Sequence, residues 1–306
     1  MMQSGGLDPQ DHALVHALTL DGRAPFSAIG AELGVSEHTV ARRYRRLRAH
    51  GVLRVVGIVN GVRLGYKSWT IRIRCTPDAA RPISAALARR ADTFWIYVLS
   101  GGTEIACNSQ PQNPGELLID KLPRGRGVLD VSAHELLADH AGPLDEPVRL
   151  DAADRRMLAV LARDGRATYA ALANAGGGSA STAARRLRYL RAAGALTYQV
   201  ELAAAALGRH AEARLWMSVR PDALAATAAA LQAHPEVTFA AVTTGPTNLV
   251  AQVACSDSAG LYRFLTGRAA GLTGVNALES APVLRTVKRF GPSLSEAPSA
   301  GRRPGG

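Results

Sequence analysis

Cysteine is scarce in this chain, which has 306 residues and three cysteines, Cys75, Cys107 and Cys255. They are far apart and form no C-x-x-C pair, which argues against a disulfide framework and a zinc site. Long apolar runs are absent as well, and none reaches the roughly 18 residues of a membrane span. The first residues, MMQSGGLDPQD, lack the charged and apolar regions of a signal peptide. We therefore expect a cytoplasmic protein without a membrane partner.

Acidic residues are also few. The chain has 25 aspartates and glutamates and 36 lysines and arginines, which gives a formal net charge of +11. Such an excess favours a polyanionic partner, and nucleic acid before a membrane surface. Arginine far outnumbers lysine, and alanine and glycine are abundant, a bias that is also typical of a genome rich in G and C. The charge by itself therefore does not decide the function.

The chain repeats itself after 143 residues. DGRA at 21–24 recurs at 164–167, and VSEHTVARRYRRLRAHGVL at 35–53 recurs as GSASTAARRLRYLRAAGAL at 178–196. Weaker similarity continues downstream at an offset of 144. A repeat of this length predicts two copies of one two-part module. The segment 140–149 between the copies has two prolines and no periodicity, which is typical of a linker.

The first part of each module has the pattern of three helices and a strand. Asp8 and Pro9 predict a helix start, a short helix follows from Phe26 to Leu33, Gly34 turns the chain, and Ser36 caps a third helix. Apolar residues of the third helix recur at helical spacing and predict a core-facing stripe. These are Val40, Tyr44 and Leu47 in the first copy and Ala183, Leu187 and Leu190 in the second.

Three helices and a strand in this order predict a winged helix-turn-helix, whose third helix enters the major groove of double-stranded DNA. By position, base edges are within reach of Ser36, His38, Thr39 and Arg42. We expect Arg43, Arg45, Arg46 and Arg48 to contact phosphates or to pack at the sides. The outward residues of the second copy are Ser181, Thr182, Arg185 and Arg188, and Arg186 is a further candidate DNA contact. The segment NAGGGSAST precedes that second helix, and its three glycines predict a weakened helix end and a degenerate second unit.

The second part of each module alternates strand and helix patterns in the order β-α-β-β-α-β, the ferredoxin-like split motif. In the first copy PGELLIDKL predicts its second helix. The fold class is therefore α+β, with two copies of a winged helix-turn-helix followed by a ferredoxin-like αβ-sandwich domain. The predicted boundaries are 1–60 and 61–139 for the first module, 140–149 for the linker, 150–203 and 204–290 for the second module, and 291–306 for a disordered tail.

These pieces resemble the Lrp/AsnC family of transcription regulators, here as a tandem fusion. The resemblance spans about 7–290 and rests on LDPQDHALVHALTLDGRAPFSAIGAELGVSEHTVARRYRRLRAHGVL, its copy, the two Leu-Gly pairs, and the loops SGGTEI and TGPTNL. It implies a small-molecule effector, such as an amino acid, bound at paired αβ domains, and a homo-oligomer associated with the nucleoid. The matching loop residues are Ser100, Gly101, Thr103, Glu104, Thr244, Gly245, Thr247 and Asn248. Glu104 and Asn248 stand where the family usually has aspartate.

No catalytic constellation is apparent, and the sequence predicts neither an enzyme nor a cofactor. His12 and His16 have a spacing suitable for metal ligands, but the copy has Arg155 and Ala159 there, which favours a solvated helix face. The main hypothesis is a regulator that binds a roughly palindromic DNA site. Two alternatives stay open. One is an enzyme similar to sirohaem decarboxylase, whose subunits have a similar two-part architecture. The other is an effector sensor that does not bind DNA.

Overall fold

The computed structural model describes residues 7–111, 127–137, 147–202 and 208–289. Most of the predicted linker, the predicted helix PGELLIDKL and the predicted disordered tail lie outside these ranges. Within them, each copy begins with three helices and a strand. In the first copy these are α1 (Pro9–Leu20), α2 (Phe26–Leu33), α3 (Glu37–Ala49) and β1 (Leu53–Val59). In the second they are α5 (Ala152–Leu161), α6 (Tyr169–Gly176), α7 (Ala180–Ala192) and β6 (Leu196–Leu202).

The helix starts and the turn of the first copy, which we call unit 1, follow from local residue chemistry. The Asp8 carboxylate accepts a hydrogen bond from the Asp11 backbone amide at 2.7 Å, and Pro9 occupies the first helical turn. Gly34 adopts a left-handed conformation with φ +66°, which lets the chain turn directly into the Ser36 cap of α3. The predicted stripe of Val40, Tyr44 and Leu47 is buried, so the pattern-based assignment of the core face is confirmed.

The second copy, unit 2, keeps the same turn despite its three glycines. Helix α6 runs through Gly176, and Gly177 takes the left-handed conformation with φ +82°, at the position that Gly34 occupies in unit 1. Ser179 then caps α7, its hydroxyl accepting from the Thr182 amide at 3.1 Å. The three glycines of NAGGGSAST are therefore compatible with the same compact turn, because one glycine supplies the turn and the glycine before it is helical.

The two units are joined through their strands. The strand after the third helix, where a wing was expected, pairs antiparallel with its counterpart from the other copy, β1 with β6. The register places Val56 opposite Gln199, its own equivalent after 143 residues, so the pairing has a local pseudo-two-fold axis. Arg23 donates to the carbonyls of residues 165 and 167, and Arg166 donates to those of residues 22 and 24, all at 2.7–2.9 Å. These reciprocal contacts hold the two units in one fixed arrangement.

The second part of each module is an αβ domain. The first, αβ domain 1, contains β2 (Trp69–Cys75), α4 (Pro77–Ala88), β3 (Thr93–Leu99), β4 (Glu104–Ser109) and β5 (Val128–Glu135). The second, αβ domain 2, contains β7 (Ala211–Val219), α8 (Leu224–Gln232), β8 (Val237–Val242), β9 (Leu249–Cys255), α9 (Ser258–Arg263) with a π-helical continuation (Phe264–Ala269), and β10 (Val275–Lys288). The strand orders β5-β2-β4-β3 and β10-β7-β9-β8 are those of the ferredoxin-like motif, which confirms the fold class.

The sheets of the two αβ domains are joined edge to edge through β3 and β10. Side chains of the two sheets also pack against each other. Strand β10 pairs with β7 in its own domain and then, from Val283 onward, with β3 of the other domain. The two outermost strands of this order, β5 and β8, also meet, because Leu136 after β5 forms a bridge with Thr243 after β8. Side chains from both sheets form one buried cluster between them, which we call the intersheet core: Tyr97, Leu99, Ala106, Trp216, Ala241, Val250 and Ala281. No helix in the described part of the chain is long and apolar enough to cross a membrane.

Candidate nucleic-acid interface and effector cavity

Helices α3 and α7 present exposed arginines on the face opposite their apolar stripe. Arg42, Arg45 and Arg46 are exposed on α3, and Arg185 and Arg188 are exposed on α7. Within the described ranges, Arg42, Arg185 and Arg188 take part in no ion pair, and Arg45 contacts only the backbone of its own helix at Ala41. An arginine fork without a protein partner is available for a phosphate or for the edge of a guanine.

Two of the predicted contact residues are directed inward instead. The Arg43 guanidinium donates to Asp8 at 2.6 Å and to Asp11 at 2.8 Å, and both hydrogen bonds raise the pKa of Arg43. In unit 2, Arg186 donates to both oxygens of the buried Asp154 carboxylate at 2.7 Å, which raises the pKa of Arg186. These pairs connect the third helix to the first helix of the same unit. Arg43 therefore has the packing role that was the alternative to a phosphate contact, and Arg186 has the same role in unit 2.

Apart from Arg46 and Arg48, which lie in the last turn of α3, the remaining predicted residues of these helices lie at their exposed beginnings. Ser36 shares a hydrogen bond of 2.9 Å with Thr39, and Ser179 shares similar bonds with Ser181 and Thr182. His38 is exposed beside them. Arg46 is exposed as well, although it also pairs with Asp11. Since the first residues of the third helix are those that approach base edges, the structure groups these predicted contacts at the appropriate end of each helix.

The first predicted effector loop lies next to a cavity of about 580 Å³. Ser100, Gly101 and Gly102 all have positive φ values, and Thr103 donates to the Ser100 carbonyl at 2.8 Å, so the loop is a tight turn. The residues around the cavity come from both αβ domains: Arg72, Arg74, Cys75, Thr76, Pro77, Thr103, Glu104, Leu129 and Glu279. We call it the effector cavity below.

Glu104 connects the two αβ domains. Its buried carboxylate accepts from Arg72 at 3.1 Å and from the indole nitrogen of Trp216, in the other domain, at 3.2 Å. Arg72 also donates to Glu279 at 2.7 Å and lies over the Trp216 ring. Burial lowers the pKa of Arg72, but the two carboxylates outweigh it, and the pKa is raised overall. Glu104 is thus occupied by protein partners, whereas the exposed Arg74 has no ion pair among the described residues.

The second predicted loop, by contrast, contacts the chain itself. Thr244 exchanges two hydrogen bonds of 2.9 Å with the backbone of Glu135 in the other αβ domain. The His134 ring lies so close to Gly245, which has φ +93°, that an added Cβ would be 2.1 Å from its Nδ1. Burial, and secondly Arg72, lowers the pKa of His134. Asn248 uses its amide to donate to and accept from the backbone of Val219 at 2.8 Å.

Sequence reasoning missed the charged residues between the two sheets. Arg214 is fully buried, donates to Thr70 at 3.1 Å and to Asn108 at 3.4 Å, and lies over the Trp216 ring. Burial lowers its pKa to about 10. Arg72 and Arg74 alternate with isoleucines in SWTIRIRC, a period-2 pattern that predicts a strand and does not show what covers the arginine face. The second sheet covers this face only at Arg72, which lies over the Trp216 ring, whereas Arg74 is exposed.

Comparison with known proteins identifies the family. The AsnC-type helix-turn-helix domain matches residues 7–48 and 150–191, and the Lrp/AsnC ligand binding domain matches residues 212–292. The chain belongs to the Lrp/AsnC family. The HTH-type transcriptional regulator LrpA of Pyrococcus horikoshii is 35% identical over 126 residues, covering 40% of this chain and 89% of that protein. The HTH-type transcriptional regulator FL11 of Pyrococcus abyssi is 28% identical over 147 residues, covering 47% of this chain and 97% of that protein.

Each of these relatives therefore corresponds to about half of this Lrp/AsnC chain. A match over the whole chain comes from a solved structure, the siroheme decarboxylase NirDL, with a TM-score of 0.66 that covers 94% of this chain and 95% of that one. The two sequences are 14% identical, so this likeness concerns the fold. Together the comparisons confirm a tandem-duplicated Lrp/AsnC-type transcription regulator.

Proposed function

We propose that this Lrp/AsnC-type regulator binds double-stranded DNA through both helix-turn-helix units and responds to one small-molecule effector in the effector cavity. The observation that carries the DNA part is the pairing of β1 with β6. It relates α3 and α7 by a pseudo-two-fold axis, which is the symmetry that paired half-sites on DNA require. Unpaired exposed arginines on both helices supply the charge that phosphate binding needs.

The effector part rests on the chemistry of the cavity wall. Arg74 is an exposed guanidinium without an ion pair in the described ranges, and Glu279 has a carboxylate side chain that is 59% exposed. A ligand with a carboxylate satisfies Arg74, and an amino acid also offers an ammonium group to Glu279. Since Glu104 bonds both Arg72 and the Trp216 of the other domain, a ligand beside it acts on the contact between the two αβ domains.

Binding to the DNA upstream of its own gene tests the proposal. The wild-type protein is titrated into this duplex and into a scrambled duplex at several salt concentrations, and then compared with Arg42→Ala and Arg185→Ala. We expect a preference for the upstream duplex and a linear fall of log K with log salt. Each substitution should reduce the slope by up to about one unit if the arginine contacts a phosphate. Arg81→Ala, an exposed arginine on α4, is the matched control and should leave the slope unchanged.

Equal, weak binding of wild type to both duplexes contradicts the proposal, since the basic helices are then solvated faces. If Arg42→Ala weakens DNA binding and Arg185→Ala leaves it unchanged, unit 2 does not contact DNA. We also propose that chains associate into homo-oligomers, for which light scattering after gel filtration gives the mass directly.

A second candidate function is tetrapyrrole chemistry. It is favoured by the whole-chain fold likeness to siroheme decarboxylase NirDL, also solved in co-complex with an iron-uroporphyrin III analogue, and by the arginines Arg72 and Arg74 at the effector cavity. Two observations weigh against it: Arg72 is already neutralised by two carboxylates, and no histidine lies among the described residues that line the cavity. An absorbance titration of the protein with iron-uroporphyrin III tests this candidate function. If the tetrapyrrole spectrum is unchanged by the protein, this candidate is removed.

A further inference from the structure

The two helix-turn-helix units have the same internal framework. Each caps its third helix with a serine, turns through a left-handed glycine, and pairs an arginine of the third helix with an aspartate of the first. The threonine and the outward arginines also correspond: Thr39 with Thr182, Arg42 with Arg185, and Arg45 with Arg188. Both units therefore present their third helix in the same way, with the same threonine and the same two outward arginines.

On their third helices the units differ at two buried positions, where Val40 and Tyr44 correspond to Ala183 and Leu187, and at three exposed positions. Two of the exposed differences are at the DNA-facing end, and the third is more than two turns later. Glu37 and His38 begin α3, whereas Ala180 and Ser181 begin α7, and all four are exposed. Arg46 of α3, which pairs with Asp11, is replaced by Tyr189, over whose ring the Arg186 guanidinium lies at 4.7 Å. None of the residues at these exposed positions belongs to the buried core of its unit.

These residues differ in the base edges that they can recognise in the major groove. The Glu37 carboxylate accepts from the amino group of cytosine, and it repels the acceptor edge of guanine. Ala180 has no polar side-chain group and suits contact with the methyl group of thymine. His38 and Ser181 differ in size and in donor geometry. Two helices with such different first turns do not favour the same base pairs.

We propose that the chain recognises an asymmetric operator, whose two half-sites differ in sequence and occur in a fixed order. The inference rests on the proposed DNA-binding function and deepens it. A homodimer with identical helices requires a palindrome, whereas here the two helices belong to one chain and the register of β1 with β6 fixes their relation. The bound chain therefore has a direction along the DNA, with unit 1 on one half-site and unit 2 on the other.

Selection of bound duplexes from a random DNA library tests this directly. The expected result is a consensus of two dissimilar half-sites, one with a cytosine preference that depends on Glu37. Three duplexes are then compared by fluorescence anisotropy at fixed salt: the selected operator and the two palindromes built from each half-site alone. Wild type should bind the selected operator at least fivefold more tightly than either palindrome, since one mismatched base pair costs about 5- to 150-fold in affinity.

A helix-start exchange makes the assignment specific. Glu37→Ala/His38→Ser gives unit 1 the first turn of unit 2, and this variant should prefer the palindrome of the unit 2 half-site. Glu32→Ala is the matched control, because Glu32 is an exposed acid on α2 and unit 2 has Ala175 at that position. The control should keep the wild-type order of the three duplexes, whatever its overall affinity. Far-ultraviolet circular dichroism checks that both variants are folded.

The outcomes separate the two levels of the argument. A palindromic consensus, equal binding of the three duplexes, or an exchange variant with the wild-type preference overturns the asymmetric operator while leaving DNA binding intact. Failure of the wild-type protein to enrich any sequence overturns the proposed DNA-binding function itself.

Discussion

Replacement of Gly245 by alanine tests whether the second loop is a contact between the αβ domains or a free ligand site. Gly245 has φ +93°, and an alanine Cβ there would lie 2.1 Å from Nδ1 and 2.3 Å from Cε1 of His134. Gly101, its counterpart in the first loop, has φ +68° and nothing within 4 Å of the same virtual atom. An alanine at either position therefore has a strained backbone, but only the alanine at position 245 also overlaps a neighbouring side chain.

The two costs can be separated in magnitude. A left-handed backbone costs an alanine about 1–2 kcal/mol, and this applies to Gly101→Ala and Gly245→Ala alike. The overlap forces His134 from its position, and comparable overpacking costs about 1–3 kcal/mol. We therefore expect a loss in the free energy of unfolding of about 1–2 kcal/mol for Gly101→Ala and about 2–5 kcal/mol for Gly245→Ala.

Urea unfolding followed by tryptophan fluorescence measures both values, because Trp216 is buried in the intersheet core and Trp95 packs against it. In the background of His134→Ala, Gly245→Ala should lose the steric part and retain the backbone part. The double-mutant cycle should then give a coupling energy of about 1–3 kcal/mol. Equal losses for the two glycine variants, or a coupling energy near zero, would show that His134 does not pack on this loop in solution.

Three further predictions concern the same structure. Because burial lowers the pKa of His134, the unfolded chain binds a proton at this residue more readily than the folded chain does. The stability that neutral His134 contributes is therefore present above about pH 6.5 and declines as pH falls toward the lowered pKa. His134→Gln should make the urea midpoint less dependent on pH across that window. The three cysteines are buried with raised pKa values, about 12 for Cys107, so thiol reagents at pH 8 should modify none before unfolding and all after it. Arg166→Ala removes two hydrogen bonds to unit 1 and a contact 4.1 Å from the Phe26 ring, and we expect a loss of about 2–3 kcal/mol and weaker DNA binding; no change in either would contradict the described contact between the units.

Local chemistry made the helix-turn-helix units predictable from the sequence. The caps at Asp8 and Ser36, the turn at Gly34 and the bounds of α2 depend on neighbouring residues, and the structure confirms them. The buried stripe of α3 followed from helical spacing in the same way. Such features need no knowledge of what lies elsewhere in the chain.

The partners across the chain were not predictable by the same means. The apolar segment after Gly51 predicted the strand that follows α3 but not its pairing with β6, because a local pattern does not identify a neighbour. For Arg43 a phosphate contact and packing at the side both stayed open, and its place three residues after Val40 and four before Leu47, next to the apolar stripe, favoured packing. A usable signal was present, since Asp11 and Arg43 recur with the same spacing as Asp154 and Arg186.

The placement of β10 has a consequence for biosynthesis. Among the described residues, the border edge of strand β3 in αβ domain 1 is paired by residues 283–289, at the end of the described chain. While a ribosome is still making the second module, the β3 edge and aromatic side chains such as Tyr97 have no partner. An unpaired edge of this kind attracts other strands, so the interval before the last strand emerges is the period in which the nascent chain is most prone to aggregate. Synthesis stalled before residue 283 is therefore more hazardous to this protein than loss of a terminal strand is to a chain of independent domains.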